Sequence, residues 1–377
     1  MQLVAYGAQD IYLTGNPQIT FFKVVYRRHT NFAMESVDQT LNGTANAGNK
    51  VTATISRNGD LVGRMYLEMS VNLGAAGNNA GHTAIDNVEV QIGGQQIDKH
   101  YGHWMEAWAE LTEPNSAGLV GTDGTPASGT KFQNLAMAGG VLASSGAQTC
   151  RVPLQFWFNR NPGLALPLIA LQYHEVKVMI TFASVTAVAD AQLWADYIYL
   201  DTDERRRFAQ VSHEYLIEQV QHTSGSDASL DLNFNHPVKE LVWVAPTAAD
   251  TGIRGTNETT LNSTSKYKLV LNGHDRFAER PLEYFTQTQV WQHHTGTPVQ
   301  CDGASTGTGK ASTDEIAVYS FALKPEEHQP SGTCNFSRID NAQLKNSGTA
   351  NANVNVYAVN YNVLRVMSGM GGLAYSN

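Results

Sequence analysis

Polar and apolar residues alternate in Val51-Thr52-Ala53-Thr54-Ile55 and again in Val176-Lys177-Val178-Met179-Ile180-Thr181-Phe182. That period suits a sheet with one buried and one wetter face. Extending the reading from Ala33 to Leu200 predicts short strands at about 33–40, 50–56, 61–73, 84–92, 95–101, 151–158, 174–182 and 192–200. Within them only His103 to Leu111, with Trp104, Ala107, Trp108 and Leu111 at helical spacing, predicts a helix. From Thr112 to Thr149 the composition shifts to Gly, Ala, Ser and Thr, a long loop with little to bury. Strands in this number with one long excursion suggest a jelly roll.

After the charged break Asp201 to Arg207 the pattern restarts, with strands at about 213–222, 229–234, 239–246, 266–273, 286–291, 315–323, 335–345 and 353–366. Val90-Gln91-Ile92-Gly93-Gly94 is matched by Leu269-Val270-Leu271-Asn272-Gly273. Each leads into a polar turn and an aromatic helical segment, His103 to Leu111 in one half and Arg280 to Phe285 in the other. Val152 to Phe156 is matched by Val318 to Ala322, and Ala195 to Leu200 by Val356 to Tyr361. The expected fold class is therefore all-β, two tandem eight-stranded jelly-roll barrels with short helices in loops. The divisions are an arm over 1–26, a first barrel over 27–202, a junction over 203–212 and a second barrel over 213–377.

The arm turns at Gly15-Asn16-Pro17 and runs through Ile19 to Tyr26 into Arg27-Arg28-His29. Its β-branched and aromatic content predicts a strand. A free apolar terminus is an aggregation liability, so the arm is expected to dock on its own body or on a neighbouring copy.

Composition narrows the function. The chain has 377 residues, 42% hydrophobic and only 16% charged, with a net charge of −9. Low charge fits a surface covered by partners, and the acidic balance argues against nucleic-acid binding. Cys150, Cys301 and Cys334 are too few and scattered for a disulfide framework or a zinc site, which points to a reducing compartment. MQLVAYGAQD lacks the basic and apolar regions of a signal peptide, and Gly163 to Leu171, the longest apolar candidate, is broken by Pro167. The expectation is a chain neither secreted by the usual route nor membrane-spanning.

Motifs that could carry chemistry each meet an obstacle. Gly303-Ala304-Ser305-Thr306-Gly307 has the nucleophile-elbow spacing but no helical pattern after it. Gly307 to Ala311 approaches a phosphate loop, with its first glycine misplaced and Ala311 where a hydroxyl is required. Gly369 to Ala374 fits a dinucleotide fingerprint with too little chain left for a helix, so its glycines are expected to let the tail pass close to other backbone. His100 with His103, and His293 with His294, have no third or fourth ligand at suggestive spacing. Asp201-Thr202-Asp203 opens like a calcium loop but has Arg206 where glycine and Ser212 where glutamate are required. Arg205-Arg206-Arg207 lies beside Asp201, Asp203 and Glu204, which neutralise it, and with them reads as a junction where Asp and Arg pair across two barrels. The sequons at Asn42, Asn257, Asn262 and Asn335 read as accidents of an Asn- and Thr-rich composition. No catalytic, cofactor-binding or metal residue is assigned.

Four blocks closely resemble the major capsid proteins of the nucleocytoplasmic large DNA viruses, of phycodnavirus and iridovirus type. They are Gly7 to Ser36, Asn161 to Val176, Asp196 to Phe208 and Tyr357 to Leu373. The loops Thr112 to Thr149 and Ala248 to Lys266 show no such resemblance. The resemblance implies a non-enzymatic double jelly roll whose homotrimers form near-hexagonal capsomers paving an icosahedral shell. It further implies contacts with neighbouring capsomers, minor capsid proteins and an internal viral membrane on the inner face, toward which the arm lies. The implied location is the virion capsid, made and assembled in host cytoplasm. A carbohydrate-binding or adhesive β-sandwich is the alternative, though a signal peptide and disulfides or calcium ligands would normally accompany it. A cupin-type enzyme would need histidines converging inside one barrel.

Overall fold

In the computed structural model the paired motifs noted above become the same turn. Gly93 and Gly94 take φ of 60° and 85°, Asn272 and Gly273 take 52° and 77°. Both positions of such a two-residue hairpin need left-handed backbone, which Gly and Asn tolerate. The structure describes residues 7–72 except 23 and 25, then 77–114, 130–139, 142–143, 146–184, 187–244, 261, 264–296, 316–347 and 354–375.

The first barrel is built from β1 (Phe32–Gln39), β2 (Lys50–Thr54), β3 (Leu61–Asn72), β4 (Ile85–Ile92), β5 (Gln95–Tyr101), β6 (Ala147–Pro153), β7 (Val176–Phe182) and β8 (Ala187–Leu200). One sheet runs β1-β8-β3-β6 and the facing sheet β2-β7-β4-β5, all antiparallel. The second barrel comprises β9 (His213–Gly225), β10 (Ser229–Asp231), β11 (Pro237–Val244), β12 (Lys266–Leu271), β13 (His274–Asp275), β14 (Ile316–Ser320), β15 (Ala342–Ser347) and β16 (Val354–Met367). Its sheets run β9-β16-β11-β14 and β10-β15-β12-β13. Strand for strand the two orders are identical, so the chain is a double jelly roll. The final strand β17 (Met370–Leu373) folds back along β16.

Alternation places the core. On β7 the residues Val176, Val178, Ile180 and Phe182 are buried and those between are half-buried. With Met65, Leu67, Val88, Val90 and Leu193 they fill the first barrel. Leu241, Trp243, Tyr267, Leu269, Phe285 and Val356 fill the second. Each such side chain contributes about 1.5–3 kcal/mol through burial.

Several local expectations are corrected. The strand expected at 286–291 is helical: Tyr284–Thr288 is a π-helical turn that continues as the α-helix Gln289–His293. Short apolar runs do not distinguish strand from buried helix, and here Phe285 enters the barrel while Val290 packs beside β14. The strand expected at 151–158 stops at Pro153 and turns into the short helix Trp157–Arg160. That expected at 335–345 is split by a 3₁₀ turn at Phe336–Arg338. The charged break is a helix, Thr202–Gln210, with the Asp201 side chain accepting from Thr202 N and Asp203 and Glu204 in its first turn.

The arm also departs from expectation. Ile11–Thr14 is a helical turn, and among the described residues from Ile19 to Tyr26 there is no strand. Phe21 and Phe22 are 101% and 99% exposed, so these described residues of the arm do not dock on its own barrels. A strand forms only where a sheet edge receives it.

Candidate functional site at the seam between the barrels

The helix predicted at His103 to Leu111 forms as α1 (Gly102–Thr112) and joins the two halves. Met105 points into the first barrel, while Trp104, Ala107, Trp108 and Leu111 lie on Val242, Val244, Ile316, Val318, Tyr357 and Val359 of the second. These outward residues of β11, β14 and β16 are apolar where a solvent-facing sheet would be polar. The Trp104 and Tyr357 rings sit 5.2 Å apart, and His103 Nδ1 is 3.1 Å from the Tyr357 hydroxyl. Full burial pushes the Tyr357 phenol far above its usual range.

Beside this apolar patch lies a buried ionic cluster. Glu218 on β9 accepts from Arg160 of the first barrel and, at 2.7 Å, from Lys239 Nζ on β11; His328 Nδ1 is 3.4 Å away. Burial by itself would raise the Glu218 carboxyl, but Arg160, His328 and Lys239 outweigh it and hold it well below the carboxylate range. Burial lowers Lys239, partly offset by Glu218. Arg160 also covers the Trp108 ring at 4.9 Å. Along the same seam the edge strands β5 and β9 run side by side. Asp98 Oδ1 accepts from Val220 N at 3.1 Å, the Gln219 side chain donates to Ile97 O, and a polar groove of about 320 Å³ remains between the strands.

Two further ties close the ends. His294 is clamped by carboxylates on both ring nitrogens, Nε2 to Glu240 and Nδ1 to Glu326, each at 3.1 Å. Burial opposes its charge, yet Glu240 and Glu326 raise it to about 9, so the imidazole is cationic at neutral pH. The following residues reach α1: Thr295 Oγ1 is 3.0 Å from Thr112 O, and Gly296 N donates to Leu111 O at 2.7 Å. At the other end Tyr173 N donates to Gly369 O at 2.9 Å and His174 Nδ1 lies 2.9 Å from Gly371 O. A Cβ on Gly369 would stand 2.6 Å from the Tyr173 ring, and one on Gly371 2.6 Å from Leu171 Cδ2. The terminal glycines thus allow the close passage expected of them.

Chemically the seam binds two bodies into one, and among the described residues it pairs no nucleophile with a base. The residues weighed for chemistry are not brought together. His100 pairs with Asp98 at 2.9 Å and stacks on Phe156, whereas His103 faces Tyr357 and His293 faces Leu323 O. Arg205 pairs with Asp60 of the first barrel at 2.9 Å, and Arg27 and Arg28 are exposed. Burial pushes the Cys150 thiol up to about 12, which leaves it inert. Asn42 and Asn335 are exposed; Asn257, Asn262, Cys301 and both motifs between Gly303 and Ala311 lie outside the described residues. Sequence reading missed Arg160, Glu218, Lys239, Glu240, His294 and Glu326 as a group. The available signal was Lys239-Glu240 inside the otherwise apolar strand β11, where buried charges need partners from elsewhere.

Comparison with known proteins bears on what such a body is for. Residues 20–201 match the family model for the major capsid protein N-terminus, and residues 204–372 that for the large eukaryotic DNA virus major capsid protein. The chain is 58% identical to the major capsid protein of Pyramimonas orientalis virus, across 100% of this chain and 99% of that one. It is 44% identical to the major capsid protein of Paramecium bursaria Chlorella virus 1, with the same coverage. Among solved structures, PBCV-1 VP54 matches with a TM-score of 0.76 at 37% identity, covering 95% of this chain and 100% of VP54. The Faustovirus major capsid protein shares the fold at a TM-score of 0.67 and 11% identity, over 96% of this chain and 94% of that one.

Proposed function

The chain belongs to the major capsid protein family of large eukaryotic DNA viruses, and from that premise we propose how its geometry builds a shell. Its role is structural and non-enzymatic, as a component of the virion capsid that associates with itself. Each chain contributes two barrels of one strand order, so a ring of three chains has six similar corners. Such a near-hexagonal block paves an icosahedral surface. The observation that carries this reading is the seam: Trp104, Trp108 and the Arg160–Glu218 pair hold the two barrels at one fixed angle, without which the outline would not be constant.

The same reading assigns the parts. Residues 27–202 and 213–377 are the paving barrels, 203–212 the junction, and 1–26 an arm that remains free until assembly. The exposed apolar arm reaches toward the shell interior, where minor capsid proteins and an internal membrane are its partners, with assembly in host cytoplasm. The acidic balance supports a subunit without direct nucleic-acid contact.

Native mass spectrometry and light scattering of the purified full-length protein test the ring. The expected mass is that of three chains. A stable monomer at micromolar concentration would overturn the proposal.

A further inference from the structure

The burial of α1 against the second barrel has a counterpart that ends at the surface. α1 lies in the connection from the fifth to the sixth strand of barrel one, after β5 and before β6. The helical segment Tyr284–His293 occupies the same place in barrel two, after β13 and before β14. On α1 the indoles of Trp104 and Trp108 are 2% and 4% exposed because the neighbouring sheet covers them; on the second helix the indole of Trp291 is 81% exposed.

The receiving surface is duplicated as well. In barrel two, α1 rests on the strand pair β11–β16, where Val242 stands opposite Tyr357. In barrel one the corresponding pair is β3–β8, where Tyr66 stands opposite Trp194. Their rings stack at 6.3 Å with 10° between planes and are half-buried, on the outer face of the sheet. Among the described residues neither ring joins a buried apolar cluster, and Trp194 Nε1 is a shielded donor without an acceptor. A large exposed indole and an uncovered aromatic pair on the corresponding helix and strands of a repeat are complementary in the way that the two sides of the α1 contact are.

We propose that Trp291 of one copy docks on the Tyr66–Trp194 face of the next copy, repeating between chains the helix-on-sheet contact that α1 makes within one. The contact joins different patches on the two partners, and with the internal contact it alternates around a ring that closes after three chains. The inference rests on the trimer reading and specifies the surface through which the trimer forms.

The test uses full-length protein in two forms. Trp291→Asp alters an exposed side chain, so the thermal melt followed by circular dichroism should match that of wild type, while the concentration at which trimer dissociates should rise by about thirty-fold or more. A Tyr66→Cys, Trp291→Cys double variant should give covalent trimer under mild oxidation, and neither single variant should. A Trp291→Asp trimer as durable as wild type, or a trimeric double variant that gives no cross-link, would overturn the docking surface and leave the trimer standing. A wild-type chain that never trimerises would overturn both.

Discussion

Arg160, at the end of a short helix in the first barrel, and Glu218, on the opening strand of the second, form an ion pair whose carboxylate is buried and whose guanidinium is partly buried. Glu218 is 3% exposed and also holds the fully buried Lys239. Glu218→Gln would leave Arg160 and the fully buried Lys239 without their shared carboxylate. It is expected to cost roughly 3–5 kcal/mol, read as a lower urea midpoint. Replacing Glu218 and Lys239 together by Leu and Met should recover much of that loss, since the desolvation penalty goes with the charges.

His294 predicts an alkaline weakness. Its folded pKa, raised to about 9, exceeds the ordinary 6.5, so the clamp's contribution is fully present below about pH 6.5 and is lost as pH rises through 9. The wild-type melting temperature should therefore fall between pH 7 and 10 more steeply than that of His294→Gln, which has no charge to lose. Parallel curves for the two proteins would refute the assignment.

Gly369 has a φ of 81°, and an added methyl would meet the Tyr173 ring at 2.6 Å. Gly369→Ala combines left-handed strain with overpacking, and a loss of roughly 1–3 kcal/mol is expected by thermal or chemical denaturation. The companion Tyr173→Ala, Gly369→Ala should restore part of it by removing the obstructing ring.

Deleting Met1–Tyr26 should leave the melting temperature within about 1–2 °C of wild type, because the arm's described apolar side chains are exposed and do not enter either core. Particle assembly, followed by electron microscopy, should fail. Normal shells from the truncated chain would show that the arm has another purpose.

The double barrel was legible because its determinants are local and repeated. Alternation along β7, the left-handed turn residues Gly93-Gly94 and Asn272-Gly273, and the paired blocks in the two halves each act within a few residues. Period alone misread 286–291 as strand, since Phe285 and Val290 satisfy a buried helix equally well.

What the sequence determined by itself, then, is two runs of strands that repeat one pattern, with the helix His103 to Leu111 inside the first of them, since hydrophobic period and turn chemistry operate at short range. Only the tertiary structure decided that Arg160 meets Glu218, that His294 sits between Glu240 and Glu326, and that Trp104 is covered while Trp291 is not. Such pairings join residues dozens to hundreds of positions apart, and a buried charge discloses its partner only when the fold brings the two together.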